Sequence, residues 1–309
     1  MPRTVVVIGN FDGVHRGHSA VLTSAVTRAK SAGLSSVVLT FDPHPSQVLG
    51  RGEPPRLTTM ERRIELLHRV GIDRVVVRHF DLAFAAWSPE RFATELLAGE
   101  LGAREVVVGR DFRFGSKRAG DFASLIALGK AHDFTATAFD VVSDASGPLS
   151  SSRVRAAILA GDLDGATAVL GHWHALSGVV VEGQKLGRTI GFPTANLGQI
   201  PEVLPPDGIY AVVCDELLPT GARALAKGAM SIGLRPTIAG ATGRTCETYF
   251  FDLNRDLYGA KLRIHLVARL RDELKLAGLD ELKARIAQDC DEARQRLASV
   301  TVQEGGAFG

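Results

Sequence analysis

Gly-Asn-Phe-Asp-Gly-Val-His-Arg-Gly-His, residues 9–18, stands between a Val- and Ile-rich run, Thr4–Ile8, and a segment with apolar residues at Val21, Leu22, Ala25, Val26 and Ala29. The first run reads as a buried parallel strand and the second as a helix over 19–30. The ten residues are then a strand-to-helix loop. In an open α/β sheet such loops lie at the carboxyl ends of the strands, where ligands bind. Gly9, Gly13 and Gly17 let backbone come close to a ligand or turn sharply. His15 and His18 fall on one side of a helical first turn. Backbone N–H groups, the positive helix end and protonated imidazoles predict an anion site here. A tight glycine turn with two solvent histidines is the plainer alternative.

Strand-like and helix-like segments go on alternating to about residue 160, which predicts a parallel sheet covered by helices. Ser36–Phe41 reads as a second strand that ends in Phe41-Asp42-Pro43-His44-Pro45, whose prolines predict an extended turn. Thr58 and Glu61 resemble a capping box before a helix through Val70, and Arg74–Val77 reads as a third strand. Ser88-Pro89 predicts a helix start, and Glu105–Val108 a fourth strand. The loop after it holds Arg110, Asp111, Phe112, Arg113, Phe114, Lys117 and Arg118 among three glycines. It suits either a solvated loop or a platform for an anion and a ring. Ser150-Ser151-Ser152 opens the last helix of this half, with Arg153 and Arg155 following. The hydroxyls suit N-capping alone, or a second phosphate clamp made with Arg155.

Gly171-His172-Trp173-His174 closes a short helix over 161–170 and marks the boundary, as a linker with an aromatic anchor rather than a metal site. From Leu176 the texture is β-rich, with runs at 176–181, 209–214, 224–232, 245–251 and 262–268 between Gly and Pro turns. That pattern predicts a small closed antiparallel barrel. Leu282, Ile286, Cys290, Ala293 and Leu297 form a core-facing stripe on a closing helix. Gly183 to Asn196 carries the chemistry of this half. Gly183 and Gly187 are too close for a phosphate-binding Walker loop, but with Arg188 and Gly191 they still offer bare backbone N–H groups beside a cation. Thr194 and Asn196, two apart after Pro193, point the same way if extended, and their oxygens suit Mg²⁺ with phosphate. A structural turn would also explain them, and Glu247 reads equally as an ordinary strand acid.

The chain has 309 residues, which predicts two domains, and a net charge of +2, which gives no basic footprint for nucleic acid. Three scattered cysteines, Cys214, Cys246 and Cys290, fit a reducing compartment rather than disulfides or zinc. No apolar run reaches a membrane span, and the start is too short for a signal segment, so the expectation is a cytoplasmic protein with no membrane or nucleic-acid partner. Nothing in the sequence assigns an oligomeric state.

Four motifs, 15–18, 41–45, 109–115 and 151–155, occur in the order and spacing of the FMN adenylyltransferase module of prokaryotic bifunctional riboflavin kinase/FAD synthetases, which the first half resembles. Ser152 and Val154 stand where that pattern usually has Thr and Ile. Gly187–Asn196, Pro206–Ala211, Ile232–Thr237, Glu247, Asp256–Gly259 and Leu270–Glu273 resemble its riboflavin kinase signature. Ser231, Ile238 and Leu276 depart from it, the last two removing aromatics. The resemblance implies a Rossmann-like nucleotidyltransferase domain over 1–172, an antiparallel β-barrel kinase domain with a C-terminal helix over 173–302, and a flexible tail over 303–309. It implies riboflavin, FMN, FAD and ATP as substrates and products, with Mg²⁺. His15 and His18, with Gly9, Asn10, Phe11 and Gly17, would serve ATP phosphates, and Ser151, Ser152 and Arg155 the leaving pyrophosphate. Asp42, Asp111, Phe112, Arg113, Arg271 and Glu273 would contact flavin. Thr194 and Asn196 would hold the metal, and Glu247 would be the general base. Two other readings compete: a different His-x-Gly-His transferase with an unrelated barrel, and a flavin-binding protein without turnover.

Overall fold

A computed structural model describes residues 3–183, 186–235, 243–274, 277–303 and 306–308, with Leu186, Arg188 and Arg235 described by backbone alone. Ile238 and Leu276, and the side chain of Arg188, therefore lie outside the described residues. The chain separates into two compact units, residues 1–56 with 60–151, and residues 57–59 with 152–309.

The first unit is built on a five-stranded parallel sheet in the order β3-β2-β1-β4-β5. Its strands are β1 (Thr4–Ile8), β2 (Ser35–Asp42), β3 (Arg74–His79), β4 (Ala103–Gly109) and β5 (Thr135–Phe139). All five residues of β1 are buried, as expected of a central strand covered on both faces. Helix α1 (Arg16–Ala32) packs Leu22, Ala25 and Ala29 on one face with Val5, Val7 and Val38. Short helices α2 (Pro45–Val48), α3 (Met60–Arg69), α4 (Leu82–Ala85) and α5 (Pro89–Arg91) follow, and α5 runs on as a π-helical stretch, Phe92–Glu100. That stretch and α6 (Phe122–His132) cover the other face, where Leu96, Leu97 and Leu125 meet Val6, Leu39 and Val106. Ser88 caps α5 as expected, its side chain accepting from Arg91 N–H. Pro45 does not extend the turn after β2; it starts α2, behind a cap made by His44. A small hairpin, β6 (Ser143–Asp144) and β7 (Gly147–Pro148), precedes α7 (Ser151–Ala160). The strand order reverses at β1, so the loops after β1 and β4 flank the position where ligands enter such sheets.

The second unit holds α8 (Leu163–Leu170) and a closed barrel in the order β10-β11-β12-β9-β8-β13. Its strands are β8 (Ala175–Val181), β9 (Thr194–Gly198), β10 (Gly208–Leu218), β11 (Gly221–Arg235), β12 (Gly243–Phe250) and β13 (Lys261–Arg271), all antiparallel to their neighbours. Helix α9 (Leu186–Thr189) precedes β9, and α10 (Leu279–Arg296) follows the barrel. Five strands were expected from sequence. The sixth is β9, the Thr-Ala-Asn segment itself, five residues that close the ring between β8 and β12. Inward residues such as Leu197, Tyr210, Met230 and Ile264 fill the barrel. Residues of the opposite parity, Ala211, Val213 and Ala229, pack outward on Cys290, Ala293 and Leu297 of the helical segment.

The expected flexible tail is instead docked over 306–308. Phe308 is 5% exposed against that outer face. Its N–H donates to Asp215 Oδ1 at 2.8 Å, and Ala224 N–H donates to Gly306 O at 2.7 Å. One aromatic ring with a buried acceptor for its amide outweighs a polar, glycine-rich composition. Phe308→Ala should therefore destabilise the barrel by about 2 kcal/mol. Urea unfolding followed by Trp173 fluorescence in a Trp87→Phe background checks this, and an unchanged midpoint would mean the docking carries no stability.

Candidate functional site

The 9–18 loop is drawn in by its own apolar residues. Phe11 and Val14 are each 3% exposed, and both sit at positive φ, 49° and 38°. Positive φ is costly for a β-branched residue and persists where packing over-determines it. Here burial against α1 and β1 holds the strained turn, closed by Val14 N–H to Phe11 O at 3.1 Å. His15 is the N-cap of α1, and its Nδ1 accepts from His18 N–H at 3.3 Å. That bond puts the His15 proton on Nε2. The His15 and His18 rings stack at 3.6 Å, and Phe11 meets His18 edge-on at 5.1 Å. A Cβ on Gly17 would come within 3.1 Å of the His15 ring and of Leu149 O, so a larger residue here would press on the stacked rings. Gly9 lies under the Phe11 ring in the same way.

Burial, with the neighbouring His15 and Arg63, holds the His18 pKa well below its ordinary 6.5. This corrects the expectation of a protonated His18: its ring is held neutral beside the positive end of α1 and the Arg63 cation. The first turn of α1 carries no acidic residue. His18 Nδ1 is buried without a hydrogen-bond partner among the described residues, an atom suited to a ligand oxygen. Asn10 meets His44 Nε2 at 2.8 Å, and Ser151 Oγ donates to Asp12 O at 2.8 Å, so the prolyl turn and the start of α7 both brace the loop. Ser152 is exposed and Arg155 half-buried further along α7, in the second unit.

The loop after β4 is less open than its composition suggests. Phe114 is buried in the core and stacks on half-buried Phe112 at 5.5 Å. Arg110 pairs with Asp140 at 2.7 Å and Arg113 with Asp121 at 3.3 Å. Asp111 is exposed, lying over Gly109, and Asp42 faces Arg56 at 3.9 Å. Sequence alone does not separate the buried Phe114 from the half-buried Phe112.

In the second unit the register of β9 against β12 sets Asn196 opposite Glu247 and Thr194 opposite Tyr249. Alternation turns Ala195 and Leu197 toward the barrel core, so Thr194, Asn196 and Glu247 share the outer face. Thr194 Oγ1 donates to Glu247 Oε2 at 3.2 Å. A Cβ on Gly183 would fall 2.3 Å from Asn196 Nδ2, so the glycine loop lies directly on that side chain. Gly187 has the same relation to Phe192 O, while Gly191, at φ 91°, and Pro193 are exposed between them. A cavity of about 350 Å³ opens beside this face, walled by Phe192, Thr194, Glu247, Tyr249, Arg271 and Cys290. Ser231 and Glu273 also line it. Glu247 thus sits at the cavity wall with its carboxylate bonded to Thr194.

One expectation about this wall changes. The stripe on α10 is not all core, since Leu282 and Ile286 line the cavity. Arg271 lines it too, with its guanidinium donating to both carboxylate oxygens of Asp289, at 2.7 and 2.5 Å. Cys290 is an apolar wall, its thiol pushed up to about 11 by burial. Among the described residues no three His, Cys, Asp or Glu side chains gather as a metal cage. Thr194 and Asn196 supply hard neutral oxygens beside one carboxylate, donor chemistry that fits Mg²⁺ arriving with phosphates.

Comparison with known proteins follows this division. Residues 1–153 match the FAD synthetase family model and residues 170–297 the riboflavin kinase model. The bifunctional riboflavin kinase/FMN adenylyltransferase of Escherichia coli K12 is 40% identical over 292 residues, covering 94% of this chain and 92% of the relative. That of Bacillus subtilis is 35% identical over 298 residues, with the same coverage. A solved Streptococcus pneumoniae structure, named as a macrolide-efflux protein, superposes with a TM-score of 0.81 at 30% identity, over 96% of this chain and 95% of that one.

Proposed function

The chain belongs to the bifunctional riboflavin kinase/FMN adenylyltransferase family, and from that premise we propose how its residues divide the two reactions. The C-terminal part phosphorylates riboflavin with ATP to FMN. The N-terminal part adenylylates FMN with a second ATP to FAD and releases pyrophosphate. We set the boundary near residue 172, at the start of the riboflavin kinase match, which begins at residue 170, and we assign the protein to the cytoplasm, a reading supported by its three free cysteines.

For the kinase step the observation that carries the reading is the Thr194–Glu247 contact of 3.2 Å at the wall of the cavity. Phosphoryl transfer needs alignment, charge neutralisation and an acceptor for the hydroxyl proton. The isoalloxazine ring enters between Phe192, Tyr249 and Ile286, and the ribityl hydroxyl approaches Glu247, which takes the proton as the oxygen attacks the γ-phosphorus, its bond to the bridging oxygen breaks and ADP leaves. Gly183, Gly187, Arg188, Gly191 and Pro193 form the loop over the phosphates. Thr194 and Asn196 would hold Mg²⁺, which when bound neutralises phosphate charge. Arg271, fixed by Asp289, and Glu273 shape the flavin end.

For the adenylyl step the FMN phosphate is already a nucleophile, so the protein stabilises charge at the α-phosphorus. Backbone at Gly9, Asn10, Phe11 and Gly17, the His15 Nε2–H and the His18 imidazole serve the ATP phosphates. Ser151, Ser152 and Arg155 receive the leaving pyrophosphate. Asp42, Asp111, Phe112 and Arg113 are the proposed FMN contacts.

Chromatography of flavins after incubating the pure protein with riboflavin, ATP and Mg²⁺ tests the whole scheme. FMN followed by FAD is expected, and chelation of Mg²⁺ should stop both. FMN alone would remove the adenylyl assignment, and bound but unconverted riboflavin would make this a binding protein.

A neutral His18 makes a separate prediction. Its folded pKa is below 6.5 and its unfolded pKa is near it, so between the two the unfolded chain binds more protons. Its contribution to stability is full above 6.5 and is lost as pH falls through the folded value. An NMR titration of the His18 ring carbons should show its inflection well below 6.5; an inflection at or above 6.5 would restore the cationic reading.

A further inference from the structure

Beneath the 9–18 turn lies a cation that the scheme above does not use. Arg63, on α3, has a side chain 8% exposed and pairs with Asp12, 9% exposed, through Nη2 to Oδ1 at 3.2 Å. Arg63 Nε is buried and has no hydrogen-bond partner among the described residues. A guanidinium held for structure alone usually closes both arms of its fork on a carboxylate, as Arg271 does on Asp289. This one makes a single bond and leaves an N–H unused in a buried setting, an arrangement that costs stability unless something else returns it.

Asp12 is the residue through which that cation reaches the site. It stands between Phe11 and Gly13 in the strained turn, and its carbonyl also accepts from Ser151 Oγ. The groups facing His18 are His15 stacked on it, the Phe11 ring edge and the charge of Arg63; the groups that act on Arg63 in turn are Asp12, Arg56 and Asp42.

We propose that Arg63 is a positioning residue for adenylyl transfer: its buried bond to Asp12 sets the turn that carries His15 and His18, and its charge helps hold anionic phosphates there. The proposal rests on the reading that residues 9–18 bind ATP phosphates.

The test uses the full-length protein with Arg63→Met and Arg63→Lys. FAD formation from supplied FMN is measured against ATP concentration, and riboflavin phosphorylation by the same preparations reports folding of the other unit. Arg63→Met should lower kcat/KM for ATP in FAD formation about 100-fold, while FMN formation changes less than about twofold. Arg63→Lys, which keeps the charge without the fork, should recover roughly tenfold of that loss. The His18 inflection should move up in Arg63→Met and stay near its native position in Arg63→Lys, a change that a purely structural tether would not produce. FAD formation within about threefold of native in Arg63→Met, or a loss with an unmoved His18 titration in both variants, overturns the proposal. If the native protein itself makes no FAD from FMN, the underlying reading has failed instead.

Discussion

Glu247→Gln is expected to lower riboflavin phosphorylation about 10³-fold while leaving FAD formation from supplied FMN near the native rate. The magnitude is that of removing a positioned general base. Glutamine isolates the proton-accepting function, because its amide oxygen can still accept from Thr194 Oγ1, the bond seen at 3.2 Å. The β9–β12 register that sets Asn196 opposite Glu247 does not depend on the charge, since ladder bonds and inward packing of Leu197 and Cys246 fix it. Glu247→Ala, which also removes the bond to Thr194, should cost at least as much. Separate assays of the two reactions check this. FMN formation within tenfold of native in the glutamine variant would remove Glu247 from the chemistry, and loss of both reactions in folded protein would defeat the division into two sites.

What could be read in advance followed local pattern, and what could not depended on neighbours distant in sequence. The Val-rich β1, the His-x-Gly-His turn and the period of α1 are local signals, so the parallel sheet and its ligand loop were legible. The strand β9 escapes a reading from local pattern because it follows Pro193 and opens on threonine and asparagine; it becomes a strand by closing a ring between β8 and β12. Burial of Arg63 was invisible, since an arginine on an amphipathic helix reads as solvated, and only the fold brings Asp12 beside it. The same limit explains the charge of His18. A histidine at a helix start suggests an imidazolium, but dense packing under Phe11 and against His15 favours the neutral ring. The motif places Arg271 at the flavin without revealing what holds it, because its partner Asp289 lies 18 residues on, across a strand-to-helix connection.

His18→Ala should abolish FAD formation, by about 10³-fold, and spare FMN formation, so that riboflavin supplied with ATP accumulates as FMN. The ring is part of a stack, and its loss removes one face of the His15 contact, 3.6 Å between centroids, along with the edge contact from Phe11. Alanine therefore tests both the donor and the shape of the turn. His18→Asn separates them, because its side-chain N–H can reach toward the place of Nδ1, the buried ring nitrogen without a partner among the described residues. Partial recovery in asparagine over alanine identifies a hydrogen bond to the ATP phosphates as the lost function. Equal loss in both variants identifies the stack, and with it the orientation of His15 Nε2–H, as what the reaction needs. Native-like FAD formation in either variant would place the phosphates elsewhere than this turn. Because the kinase site lies in the other unit of the same chain, continued FMN formation distinguishes a lost reaction from a failure of the whole chain to fold.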